Sequence, residues 1–83
     1  MSMDEFETAV RAAVTRLHGR FTLLAVIEDM RAHSPTPDVD AGIAGGGVGF
    51  VVRNWRERNL VRVAEGGQCL GRVYEVTEEW EPA

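Results

Sequence analysis

The stretch that decides the fold is VGFVVRNWRERN at residues 48–59, followed directly by LVRVAEGGQCLGRVYEVT at residues 60–77. In the first part Val48, Val52 and Trp55 recur at helical spacing,. We therefore expect a helix from about residue 47 to 59, with one side buried against a core.

The second part has the pattern of a β-hairpin. Its centre, Glu65-Gly66-Gly67-Gln68, is typical of a turn, and a run of strand-forming residues lies on each side,. We expect strands at about residues 60–64 and 72–77, so that the helix runs straight into a two-stranded antiparallel ribbon.

The composition indicates one small globular domain over residues 1–83. The apolar fraction is 45%, and a single cysteine, Cys69, excludes an intramolecular disulfide,. No apolar run approaches the roughly 20 residues that cross a bilayer, and the first residues are acidic where a signal peptide is basic. We therefore expect a cytoplasmic protein without membrane contact.

The charge is unevenly distributed along the chain. The formal net charge is -4, which disfavours a nucleic-acid binder,. However, residues 8–74 contain all nine arginines and only six acids, a balance of +3. The remaining acids lie at the two ends: Asp4, Glu5, Glu7, Glu75, Glu78, Glu79 and Glu81.

Two further helices are expected before the glycine-rich region. Ser2 and Glu5 form a capping-box pattern for a helix over residues 3–18, which Gly19 would end. Its apolar stripe either completes the core or forms a dimer interface. Thr22 is a plausible cap for a second helix, which Ser34-Pro35 would end.

The glycines at 42, 45–47 and 49 break regular structure or let two backbones approach closely,. We expect a short helix at about 37–42 and then a tight glycine turn. A nucleotide-binding loop needs a preceding strand and usually a lysine, and the chain has no lysine,. The cluster therefore favours close helix packing.

The segments RNWRERNLVRV and GRVYEVTEE resemble the recognition helix and wing of prokaryotic winged helix-turn-helix regulators. Trp55 lies five residues before Leu60, which opens the wing, and Tyr74 precedes Thr77 on the return strand. FTLLAVIEDMRAHSP is similar to the first helix of that family's three-helix core.

The resemblance implies an α+β winged helix-turn-helix fold. It would comprise an extra N-terminal helix (3–18), a three-helix core, a C-terminal two-stranded wing (60–77) and an acidic tail (78–83). The helix at about 47–59 would enter the major groove of double-stranded DNA, with the wing on the backbone.

A bacterial or phage transcriptional regulator, dimeric through residues 3–18, is the function that this resemblance implies. Arginines would contact phosphate, Asn54 could pair with adenine, and Gln68 would sit at the wing tip. The expected DNA-binding residues are Arg53, Asn54, Arg56, Arg58, Arg62, Gln68 and Arg72.

Two departures from the family pattern weaken sequence-specific readout of DNA. The first of them, with the acidic overall charge and the acidic tail, favours the alternative of a protein-interaction module, either an assembly subunit or a phage factor that binds a host or defence protein. Gly47, Gly49 and Phe50 stand where family members carry polar base-reading side chains, and the helix before the turn is unusually short. An exposed Phe50 indicates a protein contact, unless the helical phase differs by one residue and Phe50 is core. The partner-binding residues would be Phe50, Gly47, Gly49 and Trp80, although Trp80 more naturally packs back over the first helix.

Catalytic and metal sites have little support in the sequence. His18, His33 and Cys69 are isolated, each without a second ligand at useful spacing,. No trio of nucleophile, base and orienting group can be assembled. We expect a protein that is not an enzyme and that holds no cofactor or metal.

Overall fold

The computed structural model describes residues 3–68 and 71–81; the predicted cap Ser2 and the lone Cys69 lie outside these residues. The described chain is a small α+β domain with four helices and one three-stranded antiparallel sheet, compatible with a winged-helix layout. In chain order the elements are α1 (Met3–Arg16), β1 (Arg20–Phe21), α2 (Leu23–His33), α3 (Pro37–Ala44), α4 (Gly47–Glu57), β2 (Val61–Glu65) and β3 (Val73–Val76).

Two helices end in a left-handed turn, one of them at Gly19, the predicted stop. After α1 the backbone turns at His18 and Gly19, with φ of 62° and 80°, and the Gly19 N–H donates to the Val14 carbonyl. After α4, Asn59 has φ of 61°. α1 therefore ends at Arg16 and α4 at Glu57, about two residues before the ends expected from the sequence,.

Threonine side chains cap both middle helices, and the cap predicted at Thr22 is confirmed. The Thr22 hydroxyl accepts a hydrogen bond from the Ala25 N–H at 3.0 Å, and Thr36 accepts one from Val39 at 3.1 Å. Each satisfies a donor that the first helical turn leaves unpaired. The helix expected at 37–42 continues to Ala44.

The sheet has one strand more than the hairpin that the sequence predicts. β3 lies between β1 and β2, and Phe21 is paired with Tyr74, which is paired with Val63. The Phe21 and Tyr74 rings stack with centroids 5.6 Å apart. A strand of two residues has no periodicity to detect; it forms because the turn at Gly19 lays the chain beside β3.

α1 is an integral part of the core. Phe6, Val10, Ala13 and Val14 are all buried, and they meet α4 around Trp55, which is completely buried. Of the two roles expected for this helix, completing the monomer core is therefore confirmed. A homodimer through residues 3–18 stays a prediction, and it would have to use the outward side of α1.

Phe6 packs directly on two glycines, one in α3 and one at the start of α4. A β-carbon on Gly42 would overlap the Phe6 ring. A β-carbon on Gly47 would lie 2.8 Å from that ring and 2.7 Å from the Gly42 carbonyl oxygen. The predicted role of the glycine cluster, close approach of helices, is confirmed at these two positions.

Replacing either glycine by alanine is expected to destabilise the fold. Gly42→Ala and Gly47→Ala each force the Phe6 ring or the α3 backbone to move, and such overpacking costs about 1–3 kcal/mol. For a domain of this size that lowers the melting temperature by about 4–8 °C per kcal/mol. Thermal denaturation followed by circular dichroism measures the change.

Gly49→Ala is the matched control. Gly49 is helical, and its β-carbon would meet nothing closer than the Leu23 Cδ1 atom at 3.9 Å. Alanine there should raise stability by about 0.5–1 kcal/mol through helix propensity. Equal melting temperatures for the three variants would show that the packing of Phe6 does not require glycine at positions 42 and 47.

Candidate functional site

The outward side of α4 brings together residues from both functional predictions. Val48, Val51, Val52 and Trp55 are buried, as the helical pattern requires. On the opposite side a shallow groove is lined by Phe50, Arg53, Asn54 and Glu57. The aromatic residue proposed for a protein contact and two residues proposed for DNA therefore share one exposed helix face.

Phe50 is 61% exposed, so its placement in the core, the alternative interpretation, is wrong. It borders a small groove between α1 and α4 whose other lining residues are Met3, Glu7, Val51 and Asn54. Met3 is itself 53% exposed. Two large apolar side chains from different helices thus stand at the surface beside the same groove.

A larger groove, of about 390 Å³, lies between α1 and the turn from α3 to α4. It is lined by Met3, Phe6, Asp38, Ala41, Gly42, Gly45 and Gly47. Met3 borders both grooves, which together with Phe50 form what we call the Met3–Phe50 surface. Gly47 belongs to this surface, whereas Gly49 faces Leu23 of α2 and lines neither groove.

The chain segments that form this surface are acidic. Residues 3–10 and 34–52 contain no arginine or lysine. Their five carboxylates are Asp4, Glu5, Glu7, Asp38 and Asp40. Asp38 lines the larger groove and Glu7 the smaller one.

The arginines at positions 53, 56 and 58 have different neighbours. Arg58 lies 3.8 Å from the Glu7 carboxylate of α1. Arg56 lies on the sheet side, with its guanidinium carbon 6.0 Å from the centroid of the Tyr74 ring. Arg53 is exposed on the outward side, 3.7 Å from Glu57 one turn later.

Arg62 lies on the sheet face that points away from Arg56. Its Nε donates to Glu75 at 2.7 Å, and Arg20 of β1 pairs with the same carboxylate at 3.2 Å and also with Glu65. Strand pairing places this charged row opposite the face that carries Tyr74,. The arginines expected to bind DNA therefore do not form one continuous face.

The remaining predicted DNA contacts lie at the hairpin turn. Gln68 is exposed and Arg72 is half-buried, and the Arg72 backbone N–H donates to the Gln68 carbonyl at 2.8 Å.

Two of the expected DNA-binding residues remain grouped on α4. Arg53 and Arg56 line one shallow depression together with Glu57.

Trp80 packs back onto the domain, as the sequence suggested. Its ring meets Trp55 edge to face at 4.9 Å, and Arg11 of α1 lies over both rings. Arg11 also donates to the Glu81 carbonyl at 2.6 Å. Trp80 therefore holds the C-terminal segment on α1 and α4, and it lines neither groove of the Met3–Phe50 surface.

The sequence interpretation missed Glu7, Met3 and Asp38. Glu7 accepts a hydrogen bond from the Trp55 indole N–H at 2.9 Å and one from Arg11 at 3.4 Å. The detectable signal was helical spacing, since Met3 and Glu7 are four residues apart and so lie on one side of α1. Nothing in the sequence alone brings Asp38 beside them.

The described residues form no cluster of three or more side chains suited to a metal ion. No helix within residues 3–68 and 71–81 is long and apolar enough to cross a membrane.

Glu75 has a perturbed acidity. The hydrogen bond from Arg62 is the largest influence and lowers the pKa of this carboxyl, whereas burial, the second largest, raises it,. The positive charges of Arg62 and Arg20 lower it further, so the pKa lies below its ordinary value of 4.5,. The folded protein therefore binds this proton less readily than the unfolded chain does. The resulting stabilisation is present above pH 4.5 and disappears as the pH falls through the lower pKa of the folded state,.

Glu75→Gln is expected to flatten the acid side of the stability curve. Urea denaturation of the wild type at several pH values below 4.5 should show the unfolding free energy falling more steeply than in the variant,. Glu78→Gln, a change at an exposed carboxylate of the C-terminal segment, should keep the wild-type slope. Identical slopes for wild type and Glu75→Gln would mean that the charged row does not stabilise the wing.

Comparison with known proteins gave no match, whether to protein-family models, to curated sequences or to solved structures.

Proposed function

We propose that this chain is a protein-interaction module with a winged-helix layout, and that it binds a protein partner through the Met3–Phe50 surface. The observation that carries the proposal is the 61% exposure of Phe50 in the middle of the outward face of α4. In winged-helix regulators that face would present polar side chains to base edges. Here it presents an aromatic ring.

The energetics favour a partner that covers this ring. Burying a phenylalanine side chain gains about 1.5–3 kcal/mol over leaving it in water. Met3 extends the apolar area across the neighbouring helix. Large apolar residues grouped at the surface, with polar residues around them, are typical of binding sites between proteins.

The charge of the surface supports the same choice. The carboxylates beside its larger groove would repel a phosphate backbone,. The arginines that could attract one are spread over several faces or paired with acids,. The winged-helix layout therefore serves here as a scaffold that presents helices α1 and α4 to another protein.

Affinity capture from native, nuclease-treated lysate of the source cells tests the proposal. The wild-type protein is expected to retain a specific partner, and Phe50→Ser should lose it, by at least about tenfold in retained amount. Because Phe50 is exposed, the variant should keep the wild-type melting temperature, which circular dichroism verifies.

Leu24→Ser provides the matched control. Leu24 is 47% exposed on α2 and lines neither groove of the Met3–Phe50 surface, so its loss should leave capture unchanged. The proposal is wrong if Phe50→Ser retains the same partner, if both variants lose it equally, or if nothing specific is retained.

A second candidate function, binding to double-stranded DNA, is favoured by one observation. Arg53 and Arg56 are both exposed and lie side by side along α4, and Arg72 is placed in the neighbouring wing. Exposed ion pairs such as Arg53–Glu57 are weak, so a phosphate can displace the carboxylate,. Such binding would be sequence-tolerant, since these contacts go to the backbone.

Fluorescence anisotropy with a labelled duplex at low salt tests this candidate. Combined Arg53→Ala and Arg56→Ala should weaken binding at least about tenfold and lower the slope of log affinity against log salt by roughly two. Arg31→Ala, which changes an exposed arginine of α2, is the control. No binding by the wild type, or the same affinity for the double variant, would exclude this DNA contact.

A further inference from the structure

We infer that the partner occupies the Met3–Phe50 surface with a basic amphipathic segment. Apolar side chains of that segment enter the two grooves, and its arginines or lysines lie against the surrounding carboxylates. This inference rests on the proposed protein-binding function and names the chemistry of the partner.

The shape of the surface specifies the apolar half of the partner. The larger groove offers about 390 Å³ and the smaller one about 120 Å³, and Met3 lies between them. Gly42, Gly45 and Gly47 line the larger groove without side chains of their own, which leaves it open to a visiting side chain. The flexible thioether side chain of Met3 can adjust to an apolar side chain in either groove.

The charge of the surface specifies the polar side of the partner segment. Asp38 lines the larger groove, and Asp4 lies in the exposed first turn of α1. Among the described residues, no arginine lines the larger groove. The Glu7 carboxylate at the smaller groove is already paired with Arg11 and Arg58, so the acidic side of the surface is the larger groove. A basic segment is attracted to such a site and an acidic one is repelled.

Other occupants fit less well. A nucleic acid would bring phosphates against these carboxylates. A second copy of the chain would need a basic apolar face, yet the apolar side of α1 is buried and the arginines of α4 and the wing point in different directions. A basic amphipathic segment of another protein fits both the apolar grooves and the acidic side of the surface.

Selection of short random peptides displayed on phage tests the inference, with the folded 83-residue protein as bait. Enriched peptides are expected to carry net positive charge together with two or more large apolar residues. Synthetic copies should bind with an affinity that falls as salt is raised, and reversal of their charged residues to glutamate should weaken binding at least about tenfold.

Gly45→Leu shows whether these peptides use the larger groove. A β-carbon at Gly45 meets only backbone oxygens of α3, the nearest at 3.4 Å, so leucine can be added there to fill the groove without entering the core. It should weaken the peptides at least about tenfold. Gly66→Leu adds the same side chain in open space at the hairpin turn, and it should have no effect.

The possible failures are distinguishable. Enrichment of neutral or acidic peptides, or undiminished peptide binding to Gly45→Leu, overturns the inference that the partner presents a basic amphipathic segment. If Phe50→Ser still abolishes partner capture in that case, the proposed function stands. Partner capture that is unchanged by Phe50→Ser overturns the function itself. A dimer in sedimentation velocity that Gly45→Leu dissociates would identify a second copy as the occupant and overturn the inference.

Discussion

The contact between Phe6 and the bare backbone of Gly42 and Gly47 is the constraint on which the rest of the structure depends. Because neither glycine has a side chain, the N-terminal turns of α1 can reach the junction of α3 and α4. That approach places Glu7 on the Trp55 indole and completes the burial of the tryptophan. The orientation of α4 follows from it, and so does the outward position of Phe50.

The same packing creates the surface on which function is proposed. Met3 lies one helical turn before Phe6, so anchoring α1 on α3 and α4 also brings Met3 beside Phe50. Glycines that serve the core on one side line an open groove on the other. Core and binding surface are therefore two sides of one helix junction, and a change that loosens the first alters the second.

The charged residues show that closeness in sequence does not place side chains on one face of the fold. The arginines of α4 and the wing are close in sequence, which made one basic face a reasonable expectation. In the folded chain Arg58 meets Glu7 of α1, Arg56 covers Tyr74, and Arg62 pairs with Glu75 on the far side of the sheet. Much of this charge links neighbouring elements together, whereas the acidic segments come together around the apolar surface.

Local sequence determined the helices and the hairpin of this protein. Thr22 and Thr36 cap their helices, and Asn59 ends α4 before the wing, because cap and turn chemistry act within a few residues,. Helical spacing was also sufficient to place Phe50 opposite Trp55. Only the tertiary structure decided the pairing of β1 with β3 and the packing of Phe6 on two glycines. It also decided the partner of each arginine and placed Met3, Asp38 and Phe50 on one surface. These contacts join residues far apart in the chain, and their geometry depends on how whole elements pack, which no local pattern encodes.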